Sequence, residues 1–170
     1  MIKEIILIIQ KLQLPESGLL DHIFRGGSFP KPSYLSIALC SGVPLDNQSG
    51  VDMGELPQLY SDETTVTGYD RIQIGPSADS GDAFWKFYQE DFDVGSGVIK
   101  NCDKIIWNTS TRDPANPDYG WGWVSGIAIM DNPTVGSGNI IMRAKLDNPR
   151  IVFAGDTLMF DAEKLLVSFK

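Results

Sequence analysis

The stretch "WGWVSGIAIMD", residues 121–131, decides the fold. It holds two tryptophans, three β-branched residues and no charge before Asp131. Such a run reads as a β-strand. Strict alternation puts Trp121, Trp123, Ser125, Ile127 and Ile129 on one face. Val124, Gly126, Ala128 and Met130 fall on the other, which is small enough for a neighbouring backbone to approach closely.

Outward from this strand the pattern repeats. "NPTVGSG" turns the chain into the strand "NIIMRAKL". "DNP" reads as a turn, "RIVFAG" as a short strand, and "DTLMFD" and "KLLVSF" as two more, with Leu165, Val167 and Phe169 inward. Upstream, "VIKNCDKIIWN" (98–108) reads as one strand with a bulge at its polar middle, and "YDRIQIGPSA" (69–78) as another. In "FPKPSYLSIALCSG" the two alternating sets are both apolar or small, which suits a strand covered on both faces. Residues 41–68 carry Gly, Pro, Asp and Ser throughout and read as a long loop with a short helical turn near "MGELPQLY". "PESGLLDHIFRGG" (15–27) reads as a helix capped by Ser17, stopped by Gly26 and Gly27, with Leu19, Leu20, Ile23 and Phe24 on one face.

Seven to nine short strands between turns predict an all-β fold, an antiparallel, jelly-roll-like β-sandwich with a short N-terminal helical segment. Seventeen glycines and ten prolines in 170 residues supply the turns. The domain expectation is an apolar arm at 1–14 and one sandwich domain at 15–170. "MIKEIILIIQKLQLP" lacks a clean basic start and a small-residue cleavage site, so it reads not as a signal peptide but as an amphipathic helix or an arm, packed on its own domain or on a neighbouring subunit. It is also too short to span a bilayer, which takes about 20 apolar residues. Its Ile5, Ile6, Ile8 and Ile9 are candidate inter-subunit contacts, joined by Leu45, Val51 and Leu56 of the long loop.

With 14 basic and 22 acidic residues the net charge is −8, which argues against a nucleic-acid partner. Catalysis finds no support. His22 is the only histidine and sits beside Asp21 near the end of a helix. Cys40 and Cys102 lie apart in apolar runs, and no ligand set for zinc forms around them. Acidic residues such as Glu90, Asp91, Asp93 and Asp103 are numerous but unordered, so a glycosidase pair has no distinct signal. "DNQSGVD" (46–52) lacks the order and the closing Glu of a calcium loop. The expectation is a non-enzyme with no cofactor and no metal. Trp107, Trp121, Trp123 and Tyr119 are able to stack on sugar rings, although alternating aromatics more often serve as core. Gly155 and Asp156 read as a structural turn, Gly for its permissive backbone and Asp for its local hydrogen bonds.

Five stretches carry a resemblance. They are "LLDHIFRGGSFPKPSYLSIALCSGVP", "GYDRIQIGPSA", "WGWVSGIAIMD", "GNIIMRAKLDNPRIV" and "AGDTLMFDAEKLLVSF". In this order and spacing, over most of 18–169, the chain resembles a family of tailed-phage virion proteins, many of them labelled tail-fibre or minor structural proteins. It departs from that pattern at 1–14, 82–97 and 110–119. The resemblance implies a compact β-sandwich, no catalysis and a place in the virion after assembly in the host cytoplasm. Within it the expected role is capsid decoration, a cement protein on the major capsid protein lattice. The alternative is a tail, tail-fibre or baseplate component with receptor or glycan binding. A homo-oligomer, taken as a trimer, is expected, with other virion proteins as partners and no membrane.

Overall fold

The computed structural model describes residues 16–28, 31–76, 84–87 and 98–168. Among the described residues one helix, α1 (Glu16–Arg25), precedes nine strands: β1 (Leu35–Cys40), β2 (Ile72–Gly75), β3 (Trp85–Phe87), β4 (Val98–Asn101), β5 (Ile105–Ile106), β6 (Gly122–Met130), β7 (Ile140–Val152), β8 (Met159–Phe160) and β9 (Leu166–Ser168). All pairings between them are antiparallel, in a four-stranded sheet ordered β2-β1-β6-β7, a three-stranded sheet β3-β4-β9 and a two-stranded sheet β5-β8. The predicted all-β sandwich with a short helix is the observed class. Residues 1–14, with Ile5, Ile6, Ile8 and Ile9, lie outside the described residues, as do Phe169 and residues 88–97.

The core forms between the sheets. Ile37 and Leu39 of β1, Ile127 and Ile129 of β6 and Leu146 of β7 meet Ile105, Phe160 and Val167 from the smaller sheets and Leu165 just before β9. Trp107 packs edge-on against Phe160 at 5.7 Å, and Tyr69 against Trp121 at 5.8 Å. Each such pair adds about 0.5–1.5 kcal/mol beyond its buried area. The predicted double covering of β1 holds. Ala38 and Cys40 form a second apolar cluster with Ala128, Met130 and Ile140 on the outer face, closed by Met53 from the long loop.

Four local expectations need correction. On β6, Val124 joins Trp121, Ile127 and Ile129 in the core, while Trp123 points outward. Gly122 with φ +75° and a bulge between Val124 and Gly126 break the strict alternation. "DNP" is not a turn but part of β7. Val124 faces Arg150, so an unbroken ladder would place Gly126 opposite Asn148; it faces Lys145 instead, a slip of 148 − 145 = 3 residues. Asp147, Asn148 and Pro149 therefore bulge outward, all exposed. Pro149 is tolerated because β7 ends the strand order, where a missing N–H costs no ladder bond. Residues 98–108 divide into β4 and β5, which belong to different sheets. Asn101 makes that corner: its buried side chain donates to the carbonyls of Asp103 (2.7 Å) and Asp161 (2.9 Å) and accepts from Leu165 N–H (2.8 Å). Near "MGELPQLY" the chain is extended, not helical. Glu55 bridges to Cys40 and Leu56 N–H donates to Leu39, extending the sheet past the end of β2.

The helix stops where the sequence places its end but starts earlier: α1 begins at Glu16, so Ser17 lies inside its first turn and is not the cap. Gly26 takes φ +76° and Gly27 N–H closes onto the Asp21 carbonyl at 3.1 Å. His22 Nδ1 lies 2.8 Å from the Gly27 carbonyl, so the only histidine helps close the helix end.

Candidate functional site

The first part of the long loop, residues 42–54, is a cover. It lies over the outer face of the four-stranded sheet and is held there by polar contacts. Arg71 and Glu55 form a buried ion pair at 2.6 Å. Glu55 also accepts from Arg71 Nε (2.7 Å), Tyr69 Oη (2.8 Å) and Gly136 N–H (3.0 Å). Arg71 Nη1 donates to the carbonyls of Asn132 and Ser137 in the β6–β7 turn. Burial pushes the Tyr69 hydroxyl well above its ordinary range, so it stays a donor to Glu55 while accepting from Leu39 N–H. Every charge in this group has a partner, which is the condition for burying it. Further along, Arg143 of β7 bonds the Pro44 carbonyl and the Asp46 carboxylate. At Gly126 the cover sits so close that an added Cβ would lie 2.5 Å from the Gly42 carbonyl oxygen.

The cover ends there. Ser125 Oγ donates to the Ser41 carbonyl at 2.5 Å, and beyond it no described residue of the long loop covers the outer face. Trp123 is 57% exposed. Its cross-strand partner is Ile151, and Phe153, two residues on, lies diagonally across the ladder and is 47% exposed. Tyr119, 40% exposed, stacks on Phe153 with centroids 6.1 Å apart and planes 19° apart. The four aromatics considered for sugar stacking thus divide. Trp107 and Trp121 are core; Trp123 and Tyr119 are surface. Phe153 was not among the candidates, because "RIVFAG" gave no sign of which side it faces.

The other singled-out residues fall as follows. Leu45 and Val51 are exposed, Val51 at 79%. Leu56 is only 3% exposed and packs in the main core, so it is no surface contact. Gly155 and Asp156 form the predicted turn. Gly155 takes φ +89° and donates to Ser110, and the Asp156 carboxylate accepts from Phe153 N–H, an amide before it in the chain. "DNQSGVD" is a turn whose Asp52 carboxylate accepts from Ser49 N–H and Oγ. Both cysteines are free, and burial pushes the Cys40 thiol up to about 12, which leaves it un-ionised. Asp62 is held down at about 2, first by the Thr65 amide, and Glu163 at about 2, first by Lys100 and then by Lys86. Among the described residues no three His, Cys, Asp or Glu side chains gather as a metal-binding group.

No curated protein matches the chain. A family model does, over residues 12–168, which takes in all nine strands and the bare aromatic face. The chain belongs to that family, described as Podophage GP4 fiber I protein gp80, and so to the fibre-type structural proteins of bacteriophages.

Proposed function

We propose that the chain is a non-catalytic building block of a podophage fibre, part of the tail apparatus and not a cement protein on the head. Membership of a fibre-protein family over nearly the whole described sandwich carries this reading. It supports the fibre alternative over capsid decoration. The polar interior is consistent with a structural role, because Glu55, Arg71 and Asn101 spend their hydrogen bonds on joining loops and strands. A homotrimer is the assembly we propose. In it the exposed Leu45 and Val51, with the isoleucines at 5–9, meet neighbouring chains or other virion proteins.

Location is the test. Gold-labelled antibody against the protein should mark the fibres of intact particles, with a copy number far below that of the major capsid protein. Label spread evenly over the head, at a copy number close to that of the shell, would restore the decoration reading. Sedimentation of the purified chain as a monomer at all concentrations would remove the trimer.

A further inference from the structure

The sandwich core closes without its helix. Leu20, Ile23 and Phe24 of α1 are 53%, 60% and 77% exposed and belong to neither core cluster. They stand three and four residues apart, so they share one face. A helix of ten residues is marginal on its own in water. The Asp21–Arg25 pair along it, at 3.3 Å, is exposed and adds little. Such a helix depends on whatever covers its apolar face.

The sequence points to the cover. Counted at helical spacing, Ile23 continues a series of apolar residues three and four apart: Ile2, Ile5, Ile9, Leu12 and Leu19, broken only at Glu16. The count keeps its phase across Pro15. This spacing is the mark of helices that pack along a seam with their own copies. Ile6, Ile8 and Leu20 flank the series, and Phe24 stands beside Leu20. The stripe is therefore wider than a two-helix seam uses and calls for a neighbour on each flank.

We infer that the apolar face of α1 packs, in parallel, against the same face of two further copies around a threefold axis, and that this seam holds the assembly together. The inference rests on the trimer proposed above and names the element that makes it. At these exposures Leu20, Ile23 and Phe24 offer about 400 Å² per chain, too little for a separate globular partner, which takes roughly 800 Å² a side. Three copies closing on one axis bury about 1,200 Å² between them, enough for a specific interface. None of the three residues is charged, so copies of a chain with net charge −8 meet there without repulsion. Residues 26–34, which join α1 to β1, reach up to about 30 Å when extended, which leaves room for three sandwiches around the axis.

Sedimentation equilibrium of the full-length protein tests it. The native chain should be a trimer. Ile23→Asp, which sets three carboxylates on the axis, should raise the concentration for half-assembly at least about tenfold, with unchanged near-ultraviolet circular dichroism. Trp123→Ala, on the bare sheet face, should leave the trimer intact. In a Cys102→Ser background, Ile23→Cys should form disulfides between chains on mild oxidation, and Asp21→Cys, on another side of the helix, should form none. Should Ile23→Asp fail to fold, Phe24→Ser and the crosslinks read the same face. A trimer that survives Ile23→Asp would overturn the inference and leave the trimer reading standing. A native chain that stays monomeric or dimeric at all concentrations would remove both. A trimer dissociated by Trp123→Ala, or a chain that floats with phosphatidylglycerol vesicles instead of self-associating, would give the helix another occupant and overturn the inference as well.

Discussion

One face of one sheet is treated in two ways. From Met130 and Ile140 to Gly126, the outer side of β6 and β7 is roofed by the 41–56 segment, with Met53 over the apolar cluster and Glu55–Arg71 as the fastening. From Trp123 on β6 to Phe153, just past β7, larger rings are exposed and no described residue of the loop roofs them. The side chains explain the division. The roofed half is Gly126, Ala128 and Met130, small or flexible, and admits a second backbone layer. The bare half starts where the bulge turns the bulky indole of Trp123 outward, which leaves no room for one. The roofed half contributes stability, and the bare half is free to meet something else.

Breaking the fastening should do most damage to this contrast. Glu55→Ala leaves the Arg71 guanidinium buried without its partner and should cost about 3–5 kcal/mol, read from urea unfolding. A loss under about 1 kcal/mol would mean the pair is not buried in solution. Gly126→Val comes next. Its side chain would push into the backbone at Gly42 and Val43 and should cost about 1–3 kcal/mol, with faster amide exchange in the roof than at 119–123. A smaller, local effect follows acid. Asp62 is held at about 2, below its ordinary 3.8, mainly by the Thr65 amide. That bond contributes above the ordinary value and is lost as pH falls through the folded one. Amide protection at Thr64 and Thr65 should therefore drop between pH 4 and 2 and be unchanged in Asp62→Asn. The smallest effect is expected on the bare half. Trp123→Ala should change stability by less than about 0.5 kcal/mol. A large loss would show that Trp123 belongs to the core after all.

Much of this frame was legible in residues. The short strands came from alternation, the helix end from Gly26–Gly27, and the 155–156 turn from Gly-Asp chemistry, all local signals. What escaped was long-range. Arg71 read only as one residue of the 69–78 strand, because nothing nearby in sequence announces that Glu55 folds back to meet it. Leu56 looked like a loop contact and is core for the same reason. The bulge that exchanges Trp123 for Val124 has no composition of its own; Gly122 and Gly126 on either side were the available hint. The bare platform joins residues from 119 to 153, and only strand register shows that they meet.

The outward break at Asp147–Pro149 also bears on life in a crowded assembly. A straight, well-paired border strand is an invitation for another molecule's backbone to zip onto it and continue the ladder indefinitely. Here that border is interrupted midway, carries a residue with no amide hydrogen to donate, and is flanked by Lys145 and Arg150. Copies packed side by side can then meet through side chains, at a defined spacing, without fusing into an amyloid-like stack.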